Sequence, residues 1–184
     1  MTAFTDYLIG EIGKFDSAVA TLDPKSCVFR IYRDVRFSKD KSPYKTNLGA
    51  YISPGGRKSM LPGYYFHLQP GQSFIAGGKH MPDGPENLKI RTAIANDTDK
   101  FLKIVGKKSF RDTLGEMRGD KLKSAPKGFD PEHKALEYVR LKEFMAFTEL
   151  HDDKFLISPE FPKYLVKTVK EMFPFVAFLR KALL

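Results

Sequence analysis

The sequence predicts an α+β fold: an antiparallel meander sheet of about five strands with helices packed on one face. Three observations carry this. Apolar residues recur every three or four positions near both ends of the chain, the mark of amphipathic helices. Between Cys27 and Lys79 they alternate with a period of two instead, as strands do. These strands are joined by "PGG" and "PGQ". Such turns are too short for a crossover, so successive strands pair antiparallel.

Each element follows in order. Phe4, Leu8, Ile12, Phe15, Val19 and Leu22 make one apolar stripe, a first helix that "DPK" at Asp23–Lys25 ends. "CVFRIYRDVRF" alternates, with Cys27, Phe29 and Ile31 opposite Val28, Arg30 and Tyr32, and predicts the first strand. A charged run with Pro43 near its centre follows. "LGAYIS", "YYFHLQ" and "SFIAGG" read as the next three strands. Asp83 caps a helix opening at Pro85, with Leu88, Arg91, Ile94 and Ala95 on one side. A further helix carries Phe101, Leu102, Ile104 and Val105. Lys100–Lys127 holds nine cations against three acids and includes the breaker "SAPKGFDP", so it reads as a loop-rich surface. Pro131 opens a short helix. "KEFMAFTEL" is the last strand, paired at a sheet margin. "SPE" at Ser158 opens the final helix, which Pro174 kinks or breaks. With no internal repeat, residues 1–184 read as a single domain.

The totals bound the function. Of 184 residues, 42% are apolar, ample for a core, and the net charge is +9. That balance favours an anionic partner: a phosphate-bearing small molecule, or less readily a nucleic acid. Cys27 is the single cysteine and suits a buried thiol in a reducing compartment. "MTAFTDYLIGEIGKF" lacks a secretory pattern, and no stretch is apolar enough for a membrane span. The expected location is cytoplasmic, with no membrane partner.

"FRIYRDVRFSKDKSPYKTNLGAYI", "PGYYFHLQPGQSFIAGGKHMP", "IRTAI", "LKSAPKGFDPEH" and "SPEFPKYLVKTVKEMFPFVAFLRKAL" together resemble a conserved hypothetical family, domain of unknown function 2461, over nearly the whole chain. The resemblance implies no settled activity. It also implies an opening helical section with an "NN…WF" pattern. This chain starts past that point and contains no Trp, so the expectation is a truncated start or a lineage that lost the section.

The strongest candidate site is "RDVRFSKDKSPYKTN". Arg33, Arg36, Lys39, Lys41 and Lys45 bring donors suited to phosphate oxygens close together. Asn47 adds an amide, Tyr44 a ring that can stack, and Asp40 a carboxylate to orient the cations. Arg36 and Lys45, bracketing Pro43, are expected to share one anion. The competing structural reading is a hydrogen-bonded loop stiffened by Pro43. Surface pairs contribute only about 0–1 kcal/mol each, a poor reason for so many charges.

Strict alternation puts Tyr65, His67 and Gln69 on one strand face, away from Tyr64, Phe66 and Leu68, with Tyr51 on the same face from the neighbouring strand. His67 is the side chain best suited to proton transfer near neutral pH, so the alternative is an enzyme acting on a small anionic substrate. A lone histidine on a polar strand is more often a hydrogen-bonded one. Gly77 and Gly78, placed after a strand, can form an anion-binding nest. "PGGRKS" fails as a phosphate loop, because Arg57 stands where the motif needs glycine. "HDD" at His151–Asp153 and "EHKALE" lack metal-ligand spacing. No metal or cofactor is expected. The third reading, a nucleic-acid binder without sequence preference, uses Lys39–Lys45 and Lys100–Lys127.

Overall fold

A computed structural model of the chain describes residues 1–33, 36, 37, 39, 41–117 and 119–184. They form two compact units: 1–60 with 64–75 and 149–167, and 61–63 with 76–148 and 168–184. The sheet has four strands, β1 (Leu48–Ile52), β2 (Gly63–Leu68), β3 (Ser73–Lys79) and β4 (Phe144–Leu150), in the spatial order β1-β2-β3-β4. The fold is the predicted α+β meander, with β4 at its margin.

In the first unit, α1 (Thr2–Gly13) buries Leu8, Ile9 and Ile12. The continuous helix expected to reach Leu22 instead stops at Gly13, and a 3-10 turn at Ser17–Val19 follows. Two contacts explain the break. A Cβ on Gly13 would meet the Ala20 Cα at 2.9 Å, so the chain folds back over a position open only to glycine. Asp16 leaves helical geometry (φ −117°, ψ 86°) and accepts a 2.7 Å hydrogen bond from the buried Tyr64 hydroxyl. "DPK" then starts a helix, α2 (Pro24–Cys27), with the Asp23 carboxylate accepting from the Lys25 N–H. Proline suits the first helical turn, where its missing N–H has no intrahelical partner to lose.

Among the described residues the first expected strand does not form as a strand; its positions 34 and 35 lie outside them. Its residues divide their partners: Phe29 N–H donates to the Gly49 carbonyl, whereas Lys45 N–H donates to Ile31 and Arg33 N–H to Pro43. Only single bridges remain, Val28 to Ala50 and Tyr32 to Tyr44. The β1–β2 register pairs Ala50 with Phe66 and Ile52 with Tyr64, and all four side chains are fully buried. Gly49 faces His67 and Tyr51 faces Tyr65 on the other side, as alternation requires.

Cys27 is fully buried. Burial, the largest influence, pushes its thiol above the ordinary value. Since the thiolate is the reactive form, iodoacetamide is expected to label Cys27 in native protein at least 100-fold more slowly than in urea. Equal rates by mass spectrometry would show that the thiol is accessible.

In the second unit, Asp83 and Glu86 close a complete capping box on α3 (Gly84–Asn96). Its inward face is Ile90 and Ile94; Leu88, expected there, is 56% exposed. The further helix expected to carry Phe101–Val105 is α4 (Thr98–Val105), and within the Lys100–Lys127 stretch, read as loop-rich, a second helix follows, α5 (Lys108–Leu114). Burial of Phe101, Val105, Phe110 and Leu114 outweighs the charge on the opposite faces. Pro131 opens no helix. Asp130 turns the chain by accepting from the Glu132 N–H, and α6 covers Leu136–Val139.

Asp152 caps a short helix, α7 (Asp153–Leu156), in the first unit. α8 (Phe161–Leu183) starts three residues after Ser158 and runs through Pro174 unbroken. Proline removes the donor to the Lys170 carbonyl, but Phe175, Val176 and Leu179 directly after it are fully buried and hold the helix. Among the described residues no helix is long and apolar enough to cross a membrane.

Candidate functional site

The polar face of β2 carries a connected set of side chains. Tyr65 and His67, two residues apart on one pleat, both point to this face. The Tyr65 hydroxyl lies 3.1 Å from His67 Nδ1, and His67 Nε2 lies 3.1 Å from Gln69 Oε1. One tautomer satisfies both: Tyr65 donates to Nδ1, and Nε2–H donates to the Gln69 carbonyl oxygen. Gln69 Nε2 in turn donates to Gln72 Oε1 at 3.2 Å. Phe74 stacks on the imidazole with ring centroids 4.8 Å apart and planes 13° apart. Phe29 meets the Tyr65 ring edge-on at 6.0 Å. Gly49 leaves the room: a Cβ there would sit 3.1 Å from the Tyr65 hydroxyl.

Burial pushes the Tyr65 phenol above the ordinary tyrosine value of 10.0. A pKa raised by folding means that the neutral phenol stabilises the native state below pH 10, and that this contribution is lost as pH rises through the folded value. Tyr65→Phe is therefore expected to cost about 1 kcal/mol at pH 7 and to lose stability less steeply above pH 10. Urea unfolding across pH 8–11.5 reads both; parallel curves for the two proteins would contradict the burial argument.

The basic run reaches this face at its end. Asn47 is half-buried, with Nδ2 3.4 Å from His67 Nδ1. Arg33, Tyr44 and Lys45 lie in the ribbon that the Tyr32–Tyr44 bridge closes, where the Tyr32 and Tyr44 rings are 5.4 Å apart. Lys39, Lys41 and Lys45 are exposed. The Arg36 guanidinium lies 5.9 Å over the ring of Phe37, itself 96% exposed. Asp40 lies outside the described residues.

Gly77 and Gly78 lie inside β3, as the strand reading of "SFIAGG" has them, rather than in a nest beyond its end, and both are buried. A Cβ on Gly77 would meet Met172 Sδ at 2.9 Å, and one on Gly78 would collide with the Phe144 carbonyl oxygen. Close packing accounts for this pair, and a ligand has no access to it. Arg57, from the failed phosphate-loop match, donates to the Lys25 and Ser26 carbonyls at 2.8 and 3.0 Å, closing the end of α2. The "HDD" residues have structural partners: Asp152 caps α7, and Asp153 accepts from the Gly71 N–H at 3.0 Å. Among the described residues no group of three or more His, Cys, Asp or Glu is placed to hold a metal.

The walls of the His67 site, Phe29 and Phe74, are not singled out by the sequence. For Phe74 a signal exists: it stands between Ser73 and Ile75 in an alternating strand and shares the face of neither. For Phe29 there is none, because its segment leaves the sheet.

A family model described as a conserved hypothetical protein (DUF2461) matches residues 1–178. No curated protein matches the chain, and no solved structure does.

Proposed function

We propose that this chain, which belongs to the conserved hypothetical family DUF2461, binds an anionic small molecule, foremost a phosphate-bearing one. The site of this proposal is the basic run Arg33–Asn47 together with the polar face of β2. The observation that carries the reading is the Asn47–His67 approach of 3.4 Å. It brings the end of a cation-rich segment to a face with a phenol, an imidazole and two phenyl rings. Cations suit the charged group of such a ligand, and the rings suit an unsaturated or apolar portion. A reducing, cytoplasmic setting fits the single buried Cys27.

The enzymatic alternative is less well supported. Both ring nitrogens of His67 already have protein partners, which favours an orienting role over proton transfer. The nucleic-acid alternative is weakened in the Lys100–Lys127 stretch, where Lys107, Lys108 and Lys121 pair with Glu171, Asp112 and Glu137.

Titration with inorganic phosphate and nucleoside monophosphates, followed by NMR, tests the reading. Tyr65 and His67 resonances are expected to shift saturably, and Arg36→Glu/Lys45→Glu is expected to weaken binding at least tenfold. Undiminished binding by that variant would refute it. Micromolar oligonucleotide binding with a log–log salt slope of about −5 or steeper would put the nucleic-acid reading first.

A further inference from the structure

α4 and α8 frame an open groove of about 470 Å³ in the second unit. Its lining carries Lys100, Lys103, Lys107 and Lys181 against one acid, Glu171. That acid is already engaged: its Oε2 accepts from Lys107 Nζ at 3.1 Å and from Ser109 Oγ at 2.7 Å. The ammonium groups of Lys100, Lys103 and Lys181 have no ion pair or hydrogen bond among the described residues. Between them the lining is apolar, with Ile104 from α4 and Pro174, Ala177 and Phe178 from α8.

Helix stability does not explain this arrangement. Lys100, Lys103 and Lys107 follow i, i+3, i+7 spacing, one stripe down α4 and into the next turn. Like charges so placed repel. Lys103 and Lys181, in the last turns of α4 and α8, are the exceptions, since a helix C-terminus favours a cation; Lys100, in the first turn of α4, has no such support. The excess of uncompensated positive charge fixes the sign of an occupant, and the apolar strip between the cations asks for a nonpolar portion. A groove of 470 Å³ matches one small molecule.

We propose that this groove binds a monomeric single-tailed anion: a short acyl or aryl group bearing a phosphate or carboxylate. The head lies among Lys100, Lys103 and Lys181, and the tail on Ile104, Ala177 and Phe178. The site shares no residue with the Arg33–Asn47 run, so either reading can fail without the other.

The probe is n-octyl phosphate below its micelle concentration, titrated into the full chain by calorimetry. It is expected to bind saturably, and at least tenfold more tightly than inorganic phosphate or neutral n-octyl glucoside. Lys100→Glu/Lys103→Glu, at two exposed positions, is expected to weaken it at least tenfold with the thermal midpoint kept. Ala177→Phe, which fills the apolar strip, is expected to do the same. The proposal is overturned if octyl phosphate binds no better than phosphate, or if the double charge reversal leaves its affinity intact. It is equally overturned if the chain binds phosphatidylglycerol vesicles but not the monomer, or prefers an acidic amphipathic peptide to octyl phosphate.

Discussion

Gly78→Ala is expected to destabilise the protein by on the order of 4 kcal/mol, since its added Cβ makes the closest approach among the described glycines. Two causes combine. Gly78 has φ +132°, where a Cβ is strained. The added Cβ would also collide with the Phe144 carbonyl oxygen and come within 3.1 Å of the Phe175 ring. Relief would require β4 backbone to move, and buried Phe144 and Phe175 leave it little freedom. Gly128→Ala separates the two causes. Gly128 has φ +89°, but a methyl group there would have nothing within 4 Å, so it carries strain alone, about 1 kcal/mol. Guanidinium unfolding of both variants decides. If they lose the same stability, the collision is relieved cheaply and the close approach does not explain this glycine.

Glu86 should be the next most sensitive position. One carboxylate oxygen accepts from Lys79 Nζ at 2.7 Å and the other from the Asp83 N–H at 3.0 Å. It therefore completes the cap of α3 and faces an ammonium group that is 3% exposed. Glu86→Ala removes both and is expected to cost about 2–3 kcal/mol, because it takes the cap from α3 and a charge-assisted hydrogen bond from a buried ammonium group. Glu86→Gln keeps one acceptor for the cap, but its amide nitrogen cannot accept from Lys79 Nζ, so it loses both the charge and that bond, and more than half of that loss is expected. Lys79→Met/Glu86→Gln is expected to recover much of it, since replacing both members of a buried pair is often neutral. A double-mutant cycle reads the coupling directly. A loss under about 1 kcal/mol in Glu86→Ala would show that Lys79 does not depend on this carboxylate.

Features that depend on neighbours along the chain were legible in the sequence. Alternation in "YYFHLQ" placed Tyr64 and Phe66 in the core and Tyr65 and His67 on the polar face. "PGQ" required antiparallel pairing, and Asp83 with Pro85 marked the start of α3. Charge along the chain is what makes the Arg33–Asn47 run a candidate. These signals are short-range: a pleat, a turn and a cap are settled within a few residues.

Features that need a distant partner were settled only by the folded chain. Tyr64 holds Asp16 across 48 positions and ends the first helical stripe early. The described residues from Val28 to Arg33 divide their hydrogen bonds between β1 and the Pro43–Lys45 arm, so alternation among them yields no strand. Gly77 and Gly78 suggested an anion nest because sequence does not show Met172 or Phe144 pressing on them. Cations that read as surface loop became rims of a groove once α4 met α8. In each case contacts between residues far apart in sequence outweighed a local preference worth at most about 1 kcal/mol per residue, and burial of apolar side chains supplied the difference.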